Sequence, residues 1–235
     1  MDAPPVVSII IPAHNEEALL GATLDALIAA LPAAGVAAEI LVVDDASTDR
    51  TAAIARARGV RVVETAVRQI AGARNAGARD ARGALFVFVD ADTIVPPAVL
   101  TSAIQAWRGG AVGGGAGAEF EASAPRWAHR AIAFARWIMW MAGWAPGCFI
   151  FAARESFVQA GGFDERYFAS EEIHLSRALK RRGRFVVLRQ NVLTSARKAE
   201  HYSMAHSLWL MMRMLWPGSL RRREGLDFWY TRHHK

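Results

Sequence analysis

The chain is poor in cysteine, with Cys148 alone among 235 residues. No disulfide framework can be built from one thiol, and a reducing compartment is the natural setting. Long apolar runs are also missing. The longest uncharged stretch, Trp137 to Ala153, falls short of the ~20 residues of a comfortable membrane span, and Gly143, Pro146 and Gly147 interrupt it. The start, Met1-Asp2-Ala3-Pro4-Pro5, has no basic n-region, and the run Val6 to Pro12 passes at once into His14-Asn15-Glu16-Glu17. That is not the pattern of a signal peptide, so a soluble or peripheral cytoplasmic protein is expected. Nineteen Gly and nine Pro are too few for a collagen-like or low-complexity chain. No G-x-x-x-x-G-K-[ST] occurs, which excludes P-loop chemistry. Negative charge is the minority, 22 Asp and Glu against 28 Lys and Arg, for a net charge of +6.

What is present reads as one folded unit. Hydrophobic residues make up 53% and charged residues 21%, which rules out a disordered chain. The length suits one α/β domain with one core. An oily chain that is also basic, with eight Trp, suggests an anionic partner: a nucleoside diphosphate, a nucleic acid or a membrane surface.

Strand and helix signals alternate through the first half. Val7-Ser8-Ile9-Ile10-Ile11 is a β-branched run of the buried parallel type. Glu16 to Leu31 has Leu20, Leu24, Leu27 and Leu31 at helical spacing, with Pro32 and Gly35 as its end. Glu39 to Val43 is a second strand, and Ser47 or Thr48 can cap a helix through about Arg58. Val60 to Val63, a helix over Gln69 to Arg82, and a strand over Ala84 to Val89 follow. Later elements are expected at Pro97 to Trp107 (helix), Ala111 to Glu121 (extended), Pro125 to Ala142 (helix), Gly147 to Phe151 (strand), Ser170 to Arg182 (helix) and Phe185 to Leu188 (strand). Met204 to Trp216 reads as an apolar helix. The repeated βα units predict a mostly parallel sheet with helices on both faces. Gly113 to Gly117 matches G-x-G-x-x-A, but it follows a helix and opens none, so it reads as a strand that lets backbone approach closely.

Open α/β sheets bind ligands beyond the carboxyl ends of their strands. Three strand signals here end in His14-Asn15-Glu16, Asp44-Asp45 and Asp90-Ala91-Asp92, and parallel strands bring these to one edge. Gathered carboxylates suit a hard divalent metal that also binds phosphates. The plainer alternative is that each Asp caps the next turn or helix. Likewise Glu171-Glu172 suits a helix N-terminus capped by Ser170, and Arg74 suits a solvated helix face beside Arg68, Arg79 and Arg82.

The ordered segments Pro12-Ala13-His14-Asn15-Glu16-Glu17, Val42-Val43-Asp44-Asp45-Ala46-Ser47-Thr48-Asp49, Gly72-Ala73-Arg74-Asn75-Ala76-Gly77, Val89-Asp90-Ala91-Asp92, Gly161-Gly162-Phe163-Asp164-Glu165 and Ser170-Glu171-Glu172 resemble the family 2 glycosyltransferases. The resemblance implies a GT-A fold, a Rossmann-like α/β domain over 1–235. Residues 5–110 would form the nucleotide-sugar half, 111–200 the acceptor and catalytic half, and 201–235 an amphipathic basic tail. It places Pro12, Asn15 and Glu16 beside the nucleoside and Asp45 at the base edge. Arg74 falls near the diphosphate. Asp90 and Asp92 match a DxD motif. Asp92 would bind Mg2+ or Mn2+ directly, Asp90 would serve ribose and metal-bound water, and His201 (His206 second) would complete the metal shell. Glu172 stands where many members have an Asp general base, with inversion at the anomeric carbon. Arg197 and Lys198 would neutralise the diphosphate of a UDP- or GDP-linked sugar. Acceptor choice would lie in Ala111 to Pro146. A non-catalytic nucleotide-sugar-binding protein is the alternative. Nucleic-acid binding rests on charge alone and lacks a recognition motif.

One further pattern bears on partners. Between Arg126 and Ala142, Arg126, His129, Arg130 and Arg136 map to one helical face and Trp127, Phe134, Ile138 and Met141 to the other. Met204 to Trp216 and Arg221-Arg222-Arg223 add a second apolar and basic element. Such helices either lie on an anionic membrane, with a lipid-linked acceptor within reach, or pack on the core.

Overall fold

The computed structural model describes residues 5–122, 124–167 and 170–195. Its centre is β1 (Val7–Ala13), flanked in parallel by β2 (Ala38–Asp45) and β4 (Leu85–Val89), with β3 (Arg61–Thr65) parallel outside β2. Both faces of this sheet are covered, which explains the β-branched run Ile9-Ile10-Ile11. Ile9 and Ile11 point into one core with Leu20, Leu24 and Leu27 of α1 (Leu20–Ala34) and Val99, Leu100 and Ile104 of α4 (Pro97–Arg108). Ile10 points to the other, with Ala73 and Ala76 of α3 (Ile70–Asp80), Phe157 of α6 (Arg154–Ala160), and Leu175 and Leu179 of α7 (Glu171–Lys180).

The other half of the sheet is mixed. β7 (Phe149–Ala153) runs antiparallel to both β4 and β6 (Gly113–Phe120). β8 (Phe185–Thr194) is parallel to β6, and the two-residue β5 (Thr93–Ile94) is antiparallel to β8. The strand order is β3-β2-β1-β4-β7-β6-β8-β5. The expected α/β class and mostly parallel sheet stand, with β7 and β5 reversed. The glycines of β6 do allow close approach. A side chain at Gly114 would strike the Val186 carbonyl and the Phe151 ring, and one at Gly115 would strike Ala145 and the Phe149 carbonyl.

Several boundaries move for physical reasons. α1 starts at Leu20 rather than Glu16, because Asn15 turns the chain with φ 57° and the Glu16 N–H is held by Thr51 Oγ1. Pro32 does not end it; it sits in the last turn, and Gly35 at φ 62° terminates the helix. Ser47 and Thr48 do not cap α2 (Thr51–Ala57). They bind Asn15, and Asp49 accepts the Thr51 N–H instead. β8 runs on past Leu188, because the chain crosses a register shift between Gly115 and Gly117 and pairing with β6 resumes at Asn191 opposite Gly117 and continues to Thr194.

α5 (Arg126–Ala142) does not keep its basic and apolar residues on opposite faces as expected. The helix faces inward with Ala128 and Ile132, and Phe134, Trp137, Trp140 and Met141 stand exposed. Arg126 and Arg130 are exposed with them, not opposite. Among the described residues no helix is long and apolar enough to cross a membrane. The Met204 to Trp216 helix and Arg221 to Arg223 lie outside the described residues.

Candidate active site at the strand ends

The ends of β1 and β2 are laced into one ledge. His14 Nδ1 lies 2.7 Å from the Asp45 carbonyl, the Asn15 N–H donates to Ser47 Oγ at 2.7 Å, and the Thr48 N–H donates to Asn15 Oδ1 at 2.5 Å. The αL turn at Asn15, tolerated by its short amide side chain, lets one residue bond in both directions. Pro12 and Glu16 are half-buried on this ledge.

Asp45 is buried beneath it. Its carboxylate accepts the Arg68 N–H at 2.8 Å and the Gln69 N–H at 3.0 Å. It thereby satisfies donors at the start of α3, the capping role the sequence left open, but for a helix more than 20 residues away. Asp44 Oδ1 accepts the Ser47 N–H at 3.3 Å.

The centre of the site is Arg74. The guanidinium is 3% exposed, so it does not lie on a solvated helix face. Nor does it present itself to an incoming diphosphate, because the side chain is buried and both terminal nitrogens donate to protein, while Nε has no partner among the described residues. Nη1 donates to Glu171 Oε1 at 2.6 Å, and Nη2 donates to Asp90 Oδ1 at 2.7 Å and to the Gly147 carbonyl at 2.9 Å. The Phe163 ring lies 5.1 Å away, in cation–π range. Burial alone would favour loss of the charge, but Asp90 and Glu171 outweigh it and hold the proton more firmly than usual.

The first residues of α7 face this cation. Glu171 is buried, and burial raises its proton affinity against the pull of Arg74. Glu172 is pushed up to about 8, first by burial and then by the charge of Glu171. A Cβ built on Gly147 would come within 3.7 Å of the Glu172 carboxyl carbon and 3.5 Å of Arg74 Nη2, so Glu172 and Arg74 flank one small gap. Ser170 does not cap the helix as expected. It adopts φ 64°, its hydroxyl makes no capping bond, and its Oγ has no partner among the described residues.

Asp90 leaves β4 with its side chain 37% exposed. Asp92 is half-buried, with its carbonyl accepting the Ser195 N–H at 3.2 Å. The two supply carboxylate oxygens at the strand end, one Asp90 oxygen being bound to Arg74. Among the described residues no group of three His, Cys, Asp or Glu side chains forms a closed metal site. Arg197, Lys198, His201 and His206 lie outside the described residues. Cys148 is buried behind Asp90, and burial pushes its thiol up, so it is chemically quiet.

Three supporting residues had no individual role in the sequence reading. Gly147 lends its carbonyl and Phe163 its ring to Arg74. Asn75 clamps the following turn in both directions, its Nδ2 donating to the Phe163 carbonyl and its Oδ1 accepting the Phe163 N–H, each at 2.9 Å. The signal lay in adjacency: two segments quoted separately, Gly72 to Gly77 and Gly161 to Glu165, bind each other.

Comparison with known proteins bears on the fold and the family. The undecaprenyl-phosphate 4-deoxy-4-formamido-L-arabinose transferase of Pseudomonas aeruginosa is 36% identical over 168 residues, covering 66% of this chain and 49% of that protein. The chain thus spans about half the length of that relative. A mannosyltransferase from Pyrobaculum calidifontis, solved with GDP-Man and Mn2+, matches 90% of this chain and 61% of its own with a TM-score of 0.68 at 21% identity. TarS 1-349 of S. aureus, solved with UDP-GlcNAc, matches 88% of this chain and 64% of its own with a TM-score of 0.64 at 19% identity. At that identity the two structures speak for the fold. The model of glycosyl transferase family 2 matches residues 8–163, and the chain belongs to that family.

Proposed function

We propose that the protein transfers a sugar from a nucleoside-diphosphate sugar, UDP- or GDP-linked, to an acceptor, with inversion at the anomeric carbon. The observation that carries this reading is the Arg74 cluster, which ties Asp90 of the DxD segment to the Glu171-Glu172 pair of α7. A leaving-group end and a proton-accepting end are thereby fixed in one small volume.

In this reading Pro12, Asn15 and Glu16 border the nucleoside, and Asp45, whose oxygens keep free lone pairs, orders the ledge and faces the base edge. Asp92 and Asp90 would hold Mg2+ or Mn2+. Two carboxylates fit such an ion, which commonly takes one or two from the protein and the rest from phosphates and water. When bound, it supplies positive charge at the departing diphosphate. Arg197 and Lys198 add neutralising charge, and His201 is the further metal ligand proposed. For a hydroxyl acceptor, the acceptor oxygen bonds to the anomeric carbon as the bond to the diphosphate breaks, and the hydroxyl proton passes to Glu172. A proton affinity near neutrality suits that task. Arg74 positions Asp90 and Glu171 rather than touching substrate. The name of the Pseudomonas relative directs attention to lipid phosphates as acceptors; such a group arrives ionised and needs no base.

The test is donor turnover with UDP- and GDP-sugars in Mg2+ and Mn2+. Turnover lost with Asp92→Ala and with chelator supports the reading. Turnover that survives both removes the metal assignment.

A further inference from the structure

Soluble surfaces rarely gather large apolar side chains in one place, yet α5 does so. Trp137 is 57% exposed, Trp140 58% and Met141 65%, and Phe134 stacks on Trp137 with ring centroids 6.0 Å apart. Arg126, Arg130, Trp137 and Met141 recur at helical spacing, so they form one outward stripe, basic at its start and aromatic at its end. The helix contains no Asp or Glu.

We propose that this face of α5 docks on an anionic lipid bilayer. Indoles and Met enter the boundary between headgroups and acyl chains, and Arg126 and Arg130 meet lipid phosphates. Charge decides among occupants. A second copy of the same face would set arginines against arginines, with no carboxylate on either helix. The chain's own residues 196–235 carry eight Lys and Arg against Glu200, Glu224 and Asp227, so that segment is itself net basic and offers the α5 arginines no net counter-charge. An anionic bilayer offers it to both.

The consequence for function rests on the transferase reading. α5 is one turn from the Arg74 cluster. After Gly143, Trp144 lies under Arg177 with 4.8 Å from guanidinium to ring, Ala145 N–H donates to Ser176 Oγ at 3.3 Å, and the Gly147 carbonyl accepts from Arg74. Docking through α5 would therefore bring the catalytic edge close to a lipid-embedded acceptor, whose phosphate or sugar hydroxyl lies at headgroup depth.

The experiment uses the full chain with vesicles of equimolar phosphatidylcholine and phosphatidylglycerol, against phosphatidylcholine alone. Sedimentation should be strong only with the anionic vesicles and should weaken with salt. Trp137→Glu with Trp140→Glu, and separately Arg126→Glu with Arg130→Glu, should each lower binding by about tenfold or more. Val158→Ser, on an exposed apolar residue of α6, should not. Because Cys148 is buried, Met141→Cys can carry a polarity-sensitive thiol probe. Its emission should shift blue when anionic vesicles are added. Three results overturn the proposal: α5 variants that sediment like wild type, a probe already shielded before lipid is added, or a concentration-dependent dimer that the Trp137 and Trp140 substitutions dissolve. Donor hydrolysis measured without vesicles keeps the readings apart, since lost docking with intact hydrolysis sinks docking alone.

Discussion

Replacing Glu172 by Gln should make the protein progressively more stable relative to wild type as pH rises, while transfer to a hydroxyl stops. The folded protein holds the Glu172 proton up to about 8, against an ordinary value of 4.5. Between those values the native state keeps a proton that the unfolded chain has released, so wild-type stability falls as pH rises through that window. The slope is ~1.4 kcal/mol per pH unit, and the full interval corresponds to at most about 5 kcal/mol. Solvent reaching the half-buried carboxyl and relaxation of Glu171 reduce this to roughly 3 kcal/mol. Gln fills the same space without an ionisable proton. Unfolding free energies from urea denaturation should therefore nearly coincide for the two proteins at about pH 5 and diverge by about 3 kcal/mol near pH 9. Curves that stay parallel across that range would refute the burial argument. The same variant should bind nucleotide sugar normally and lose about a hundredfold or more in transfer to a hydroxyl. In the wild type that transfer should rise with pH through about 8. If transfer survives the substitution, the acceptor is already ionised, or another group takes the proton.

Arg74→Met should cost about 3–5 kcal/mol in denaturant unfolding, because it strands Asp90 and Glu171 without their counter-charge. Loss of less than ~1 kcal/mol would mean that the cluster relaxes through water. Asp92→Ala should leave the melting temperature of the nucleotide-free protein nearly unchanged but abolish the Mn2+-dependent shift on adding UDP or GDP; a retained shift would place the metal elsewhere. Gly114→Ala should destabilise by about 3 kcal/mol or more, since its methyl would overlap the Val186 carbonyl across the β6–β8 ladder. A neutral result would show that the strands can part locally.

The left half of the sheet was readable because local pattern and tertiary demand coincide there. A strand covered on both faces must be largely apolar, and Ile9 to Ile11 and Leu85 to Val89 are. The acidic strand ends were readable as a group because parallel strands share an edge. Individual roles were not. Asp45 caps α3 across more than 20 residues of sequence, and no local window contains both partners. Arg74 looked exposed because Arg68, Arg79 and Arg82 surround it in sequence, whereas the helix turns it inward toward Asp90. α5 shows a different limit. Periodicity reveals that one face is apolar but not which side the core lies on, and here the core takes the side of Ala128, against Phe120 of β6, and of Ile132.

α3 explains why residues so distant in sequence meet at one point. Gly77 has no side chain where a Cβ would overlap Ile10 of β1 and Val43 of β2, so the helix can lie close on the sheet. That approach puts Arg74, one turn earlier, within hydrogen-bond reach of the end of β4. Asp45 fixes the start of the same helix, which sets its rotation. With rotation and depth both set, neighbouring side chains diverge by about 100°, and Arg74 goes to Asp90 and Glu171 while Asn75 goes to the 161–165 turn. The turn then supplies Phe163 to the underside of the guanidinium. Helix depth, helix start and turn position are thus coupled through a few groups. A substitution at Gly77 should disturb the Glu172 titration, read as a shift in the pH dependence of transfer, even though the two residues belong to separate elements.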